Sequence, residues 1–170
     1  MSSEQILPET VQRVAAFLQT LGYQLPIMML PESGKTSVEA AAGIGCSVAE
    51  IAKSIVFRRL SDDAAVMVVA SGSNRVDEQK VAAIVGPLGK ADARFVKEKI
   101  GYAIGGVCPI GHLQKTIMLI DEDLMQYPSI WAAAGHPHAV FKLSPAQLLT
   151  MTAAPLAAVA TSAVTSKVSA

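Results

Sequence analysis

Residues 51–71 read IAKSIVFRRLSDDAAVMVVAS, two apolar stretches separated by a short polar one. The first stretch is rich in Ile, Val and Phe and the second in Val and Ala, and β-branched and aromatic residues of this kind favour strands. The SDDA segment between them has the composition of a turn, because Ser and Asp side chains hydrogen-bond to nearby backbone. The stretch therefore predicts a β-hairpin.

Helix and strand patterns follow one another irregularly on both sides of this hairpin. Helical patterns extend over residues 9–21, 77–85, 91–99 and 121 to about 135. Short apolar runs typical of strands lie at residues 27–30, 116–120 and 138–143. The spacing is not that of repeated βαβ units, so we predict an α+β fold in which helices pack on a mixed β-sheet.

Three further helix starts are marked by capping residues. Thr36 with Glu39 and Ser47 with Glu50 match the capping box, in which a hydroxyl and a carboxylate satisfy the first free amides of a helix. Ser144-Pro145 combines a helix-capping side chain with a proline at the first helical position. These signals predict helices that begin near residues 36, 47 and 144.

Composition limits the class of protein. The chain has 170 residues, 51% of them hydrophobic and 16% charged, which is enough to fold as one domain with a substantial core. Lys plus Arg and Asp plus Glu both number 14. No bulk charge therefore favours a membrane surface or a long DNA duplex, and any nucleic-acid contact is expected to be small and local.

The ends of the chain and its cysteines give further expectations. Residues 1–150 are predicted to form the domain, and the uncharged Ala, Val, Ser and Thr of residues 151–170 a weakly ordered tail. The N-terminal residues lack a signal-peptide pattern, and Cys46 and Cys108 fit neither a disulfide framework nor a metal motif. A cytoplasmic protein is expected.

The segment GYAIGGVCPIGH (101–112) concentrates four glycines, a proline, a cysteine and a histidine. Three interpretations fit it. It is a plain turn, or Cys108 is a nucleophile activated by His112, or the main-chain amides of the loop hold a ligand. The pattern lacks both the dinucleotide-binding and the P-loop spacing of glycines, so it indicates neither of those sites.

Two other groups of residues are candidates for chemistry. Lys53 lies among apolar residues, where a lysine either extends its ammonium to water or faces an anion in a pocket. His136 and His138 flank Pro137, but two histidines without a third ligand nearby do not make a metal site. No metal and no cofactor is predicted.

Five strings occur in one order along the chain: AKSIVF around Lys53, ASGSNRVD (70–77), GYAIGGVCPIGH, MLIDEDL (118–124) and AAAGHPH with LSPAQLL (132–149). Together they resemble the YbaK/EbsC family, relatives of the editing domain of bacterial prolyl-tRNA synthetases. The resemblance covers roughly residues 10 to 150. It implies a single domain with a mixed β-sheet partly curled into a barrel and surrounded by helices.

The resemblance also implies an activity and a partner. Family members act as free-standing hydrolases that remove a wrong amino acid from the 3′-terminal adenosine of a tRNA, without a metal or a cofactor. The implied partner is the aminoacylated acceptor end of a tRNA, with prolyl-tRNA synthetase as a possible second partner. Prolyl tRNA carrying Ala, Cys, Ser or Thr is the expected substrate, and no DNA or membrane partner is implied.

Carried over position by position, the resemblance names the site residues. Lys53 matches the essential lysine that holds the tRNA end, and Gly105 is the first residue of the GxxxP loop around the aminoacyl group. The other substrate-binding positions implied are Ser54, Gly106, Val107, Cys108, Pro109, Gly135 and His136. A binding module of the same fold without turnover is the alternative function, and a thiol hydrolase using Cys108 is a third.

Overall fold

The computed structural model describes residues 7–161. Within this range five α-helices and two 3₁₀ helices surround eight strands. In chain order the elements are α1 (Glu9–Thr20), β1 (Ile27–Met29), α2 (Ser37–Ile44), a 3₁₀ helix (Val48–Glu50), β2 (Ile51–Arg59), β3 (Ala65–Ser71), α3 (Glu78–Val85), β4 (Leu88–Lys90), α4 (Ala93–Lys99), β5 (Ile117–Asp121), a 3₁₀ helix (Glu122–Gln126), β6 (Ile130–Ala133), β7 (Ala139–Leu143), α5 (Pro145–Thr152) and β8 (Leu156–Ala157).

The predicted hairpin is confirmed and lies in the middle of the sheet. Strands β2 and β3 pair antiparallel, with Lys53 opposite Ala70. The strand order is β1-β7-β6-β2-β3-β5-β8, and β4 pairs with β2 beside this path. Because β2 pairs parallel with β6 and β3 parallel with β5, the sheet is mixed as predicted. The strand pairings of the described residues leave β1 and β8 as edges, so this sheet is not closed.

Strand β2 has one continuous and one interrupted edge. Strand β3 covers the first edge from Ala52 to Arg58. The second edge is shared, because β6 pairs only with Ile51 and Ala52 while β4 pairs only with residues 57–59. Residues 53–56 therefore have no strand partner on that side, and the sheet forks there.

The core lies on both faces of the hairpin, which explains the apolar composition of β3. On one face, Met67 and Val69 pack in a large cluster with helix α1. On the other face, Val66, Val68 and Ala70 pack in a smaller cluster with α3. All residues of β3 are buried, and a strand covered on both faces is expected to be apolar throughout rather than alternating.

The capping signals are confirmed where the sequence placed them. Thr36 caps α2 and Ser144 caps α5, each with its reciprocal capping-box bond. Ser47 and Glu50 form the third box, and it opens a single 3₁₀ turn that leads directly into β2. Side-chain caps are local interactions, so they can be predicted without knowledge of the tertiary structure.

The helix predicted from residue 121 to about residue 135 is largely wrong. Only Glu122–Gln126 is helical, as a 3₁₀ helix, and β6 (Ile130–Ala133) follows it. Tyr127, which precedes Pro128, is extended with φ −102° and ψ 144°. A residue before proline is pushed out of the helical region by the proline ring, so Pro128 ends the helix instead of interrupting it.

The weakly ordered tail predicted for residues 151–170 is corrected over residues 151–161. Helix α5 continues to Thr152, and β8 pairs parallel with β5 at Ile120 and Asp121. Val159 is fully buried in the cluster beside α3. A short edge strand forms through tertiary packing and needs no periodic pattern in its sequence. Its Ala- and Val-rich composition therefore does not distinguish it from a weakly ordered tail. Residues 162–170 lie outside the described part of the chain.

Within residues 7–161, no helix has the length and apolar character needed to cross a membrane.

Truncation tests the packed role of residues 155–161. A protein that ends at residue 154 loses β8 and the buried Val159, and we expect it to be less stable than a protein that ends at residue 161 by about 2 kcal/mol or more. Urea unfolding of the two proteins measures the difference. Equal midpoints would show that residues 155–161 do not contribute to the folded core.

Candidate functional site

A cavity of about 450 Å³ opens at the fork of the sheet. Three segments build it: strand β2 with β6, the start of helix α2, and the glycine loop. Its lining residues are Gly34 to Val38, Ala40, Ile51 to Ile55, Gly72, Ile104, Gly105, Val107, Trp131 to Ala133 and Val140. The fork thus leaves a space that segments distant in sequence enclose.

Lys53 is held at this cavity by the turn that follows β3. Its Nζ donates a hydrogen bond to the main-chain oxygen of Asn74. The side-chain amide of Asn74 in turn donates to Oδ2 of Asp121 and to Oδ2 of Asp123, each at 2.8 Å. Partial burial lowers the pKa of Lys53, and the negative charge of Asp121 opposes this shift. The ammonium is therefore fixed in place, and it forms no direct ion pair with any residue of the part of the chain that the structure describes.

Asp121 does more than start a helix. It caps the 3₁₀ helix, because its Oδ1 accepts from the amide of Asp123 at 2.9 Å. Its Oδ2 also accepts from the amide of Ser71 at 3.1 Å, and the residue is only 1% exposed. A buried carboxylate is tolerated when several N–H donors surround it. Asp121 thus fixes the turn that holds Lys53.

The cavity is positively charged although the protein is neutral overall. Lys35 and Lys53 line it, and no Asp or Glu is among its lining residues. Elsewhere in the described chain three arginines are paired with carboxylates: Arg58 with Asp63, Arg59 with Asp62, and Arg94 with Glu98. The two ammonium groups therefore give the cavity a local positive charge that attracts an anion.

The glycine loop meets the segment that contains Gly135 and His136 at Gly106. A Cβ at this position would lie 2.6 Å from Cα and 2.7 Å from N of His136, so only glycine fits the contact. The N–H of Gly106 donates to the carbonyl of Ala103 at 3.0 Å and is already used. Within residues 7–161 the amides of Gly105 and Val107 form no hydrogen bond, and both residues line the cavity. The amide of Ile104, which also lines the cavity, is likewise without a partner among these residues, so the available donors are the N–H groups of Ile104, Gly105 and Val107.

Gly135 and His136 support this contact from behind. The carbonyl of Gly135 accepts from Thr10 Oγ1 at 2.6 Å, which ties the loop to helix α1. Nδ1 of His136 accepts from the amide of His138 at 3.1 Å, and Nδ1 of His138 lies 2.9 Å from the carbonyl of Leu30. Both rings are thus engaged by the backbone. Within the described residues no group of three His, Cys, Asp or Glu side chains could hold a metal ion.

The structure does not favour a Cys108–His112 catalytic pair. Cys108 is fully buried, and burial raises the pKa of its thiol to about 12, so the reactive thiolate is disfavoured. Nε2 of His112 lies 2.8 Å from the carbonyl oxygen of Cys108, where it holds the loop backbone. Burial also lowers the pKa of His112. Cys108 packs as a small apolar residue.

The structure brings part of the predicted set to the cavity. Lys53, Ser54, Gly105 and Val107 line it, whereas Gly106, Cys108, Pro109, Gly135 and His136 are outside its lining. Sequence reasoning missed further lining residues, the main ones being Lys35, Ser37, Val38, Ile104 and Trp131. The capping box at Thr36 predicted the start of α2, but nothing local placed that start against β2 and residue 105.

Comparison with known proteins agrees with this architecture. The profile of the family described as the aminoacyl-tRNA editing domain matches residues 31–151. The chain belongs to this family. The match includes every segment that lines the cavity, and it confirms the family relationship that the sequence strings implied.

Relatives of this editing domain extend the comparison. A structure described as a proposed trans-editing enzyme for prolyl tRNA synthetase is 40% identical, with a TM-score of 0.86 over 92% of this chain and 99% of that one. A scaffold protein used for computational epitope backbone grafting is 37% identical, with a TM-score of 0.85 over 91% and 99% of the two chains. The uncharacterized protein YwhH of Bacillus subtilis (strain 168) is 32% identical over 68% of this chain and 74% of its own length.

Thiol labelling tests the burial of Cys108. In the native protein at pH 8, we expect iodoacetamide to modify Cys108 far more slowly than Cys46, which is partly exposed, because the Cys108 thiol is inaccessible and protonated. Both thiols should react in guanidinium, which serves as the control. Peptide mass spectrometry reads the two sites separately. Preferential native labelling of Cys108 would revive the thiol-hydrolase alternative.

Proposed function

We propose that the cavity hydrolyses the ester that joins a wrong, small amino acid to the 3′-terminal adenosine of a tRNA. The observation that carries this proposal is the pairing of a fixed ammonium, Lys53, with free loop amides at Gly105 and Val107 in an editing domain. The 40% identical relative, described as a proposed trans-editing enzyme for prolyl tRNA synthetase, supports prolyl tRNA as the substrate.

Lys53 anchors the nucleotide end of the substrate. Its ammonium is held by the main-chain oxygen of Asn74, so one of its three N–H donors is used and the others can bind ribose or phosphate oxygens. An ammonium that is partly removed from water binds an anion more strongly than an exposed one. The fixed position also orients the ester relative to the glycine loop.

The loop amides act on the reacting carbonyl. Water adds to the ester carbon and gives up a proton, and the carbonyl oxygen becomes an oxyanion. The oxyanion then re-forms the carbonyl as the bond to the ribose oxygen breaks, and the ribose oxygen takes up a proton, which leaves the free amino acid and the tRNA 3′ hydroxyl. The N–H groups of Gly105 and Val107 stabilise the oxyanion or orient the carbonyl. Since an aminoacyl ester is already activated, positioning and oxyanion stabilisation suffice without a protein nucleophile.

The apolar part of the lining supports a small amino acid. Beyond the lysines, the cavity wall includes four alanines and three valines: Ala40, Ala52, Ala132, Ala133, Val38, Val107 and Val140. No carboxylate lines this wall to recognise a cationic side chain. Ala, Cys, Ser and Thr are therefore the leading candidates for the amino acid removed.

The direct test is a panel of mischarged tRNAs. We expect the protein to accelerate hydrolysis of prolyl tRNA carrying Ala, Cys, Ser or Thr above the rate in buffer, and to leave correctly charged prolyl tRNA intact. Release of the labelled amino acid measures the rate. Tight binding of these tRNAs with no hydrolysis under single-turnover conditions would instead show a binding module, and inertness toward all of them would contradict the proposal.

Replacement of Lys53 tests the anchor. We expect Lys53→Ala to lose at least about 100-fold in deacylation, because a charge-assisted contact that also orients the substrate is removed. The matched control is Lys115→Ala, a lysine that lines a different groove. Circular dichroism should show that both variants are folded. A Lys53→Ala protein with wild-type activity would show that the Lys53 ammonium only extends to solvent and does not bind the substrate.

A further inference from the structure

We propose that Lys35 is a second phosphate-binding residue of the cavity, specific for the phosphodiester that links the terminal nucleotide to the rest of the tRNA. This inference rests on the proposed function and assigns its two lysines different tasks. Lys53 is fixed and partly buried, whereas Lys35 is exposed. A phosphodiester that leads out of the cavity needs a cation at the rim.

The position of Lys35 carries the first part of the argument. It lines the cavity from the segment just before α2, whereas Lys53 lines it from β2. A Cβ placed on Gly105 would lie 3.0 Å from Cγ and 3.6 Å from Cβ of Lys35. The aliphatic stem of Lys35 therefore lies against the loop whose amides are proposed to bind the aminoacyl group, with its ammonium beyond that contact.

The second observation in favour of this role is that no carboxylate of residues 7–161 is paired with the ammonium of Lys35. Among the described residues Lys35 forms no ion pair, in contrast to Arg58, Arg59 and Arg94. The nearest carboxylates in sequence are Glu32 and Glu39, and neither forms an ion pair with Lys35 among the described residues. Oε1 of Glu39 instead accepts from the amide of Thr36 at 3.3 Å in the capping box. The positive end of the α2 dipole points to the same region and adds to the attraction for an anion.

The rim around Lys35 is also suited to a nucleotide. Val38 and Ile104 are 65% and 55% exposed and line the same cavity. Exposed apolar side chains at the mouth of a pocket mark a surface that is covered when a ligand binds. A cation beside apolar surface matches a nucleotide, which offers a phosphate next to the flat face of a base.

The experiment compares substrates that differ only in the presence of the phosphodiester. The variants are Lys35→Gln, the conservative Lys35→Arg and the control Lys115→Gln. The substrates are prolyl tRNA mischarged with alanine and 2′(3′)-O-alanyl-adenosine, which lacks the phosphodiester. We expect Lys35→Gln to lower kcat/KM for the tRNA about tenfold, through a higher KM, and to leave kcat/KM for the adenosine ester unchanged. Lys35→Arg keeps the positive charge, so we expect it to retain activity on the tRNA. The slope of log kcat/KM against log salt should become shallower by about 0.7.

Binding measurements separate this inference from the hydrolase proposal. Fluorescence anisotropy with a labelled RNA ending in ACCA measures the contribution of Lys35 to RNA affinity independently of turnover. We expect Lys35→Gln, but not Lys115→Gln, to weaken the binding of this RNA. Such a result with an inactive wild type would keep the inference and overturn the hydrolase. The role of Lys35 would be overturned if Lys35→Gln lowered kcat/KM equally for the adenosine ester and the tRNA. It would also be overturned if Lys35→Gln and Lys115→Gln weakened activity and RNA binding equally, or if Lys35→Gln weakened neither.

Discussion

The interrupted edge of β2 is the constraint on which the site depends. A strand has two edges, and here β3 occupies one edge while β6 and β4 share the other without meeting. Lys53 is the first residue beyond the pairing with β6, so it lies where the sheet opens. The start of α2 and the glycine loop close the gap, and the cavity forms between them. Sites at such divergences are common, because the scaffold is rigid while the strand ends and loops remain available for binding.

The charged groups at the fork fix the position of the Lys53 ammonium without neutralising it in an ion pair. A direct ion pair with Asp121 would stabilise the ammonium but occupy it. Instead, Asp121 accepts from the amides of Ser71 and Asp123 and from the side chain of Asn74, while the main-chain oxygen of Asn74 holds Lys53. The carboxylate acts on the lysine through its field and through the geometry of the turn. The position of the ammonium is therefore determined before any ligand binds.

The sequence predicted those features that depend on neighbouring residues. The hairpin at 51–71 and the capping boxes at Thr36, Ser47 and Ser144 are of this kind. Strands β4, β6 and β8 have two to four residues each and form because a partner is present, so their sequences carry little signal. The site divides in the same way. Lys53 and the loop could be named from their strings, but the approach of Lys35 to Gly105 and the internal use of the Gly106 amide follow from the tertiary fold.

The central claim is that the aminoacyl end binds between Lys53 and the glycine loop. Its most direct test is an amide NMR titration with 3′-alanylamino-3′-deoxyadenosine, in which an amide replaces the ester so that the complex is not hydrolysed. The account predicts that the largest shifts fall on the amides of Gly105 and Val107, with smaller shifts around Lys53, and that Lys53→Ala weakens the titration. Saturable binding whose shifts lie elsewhere, with residues 104–107 unchanged, would contradict it.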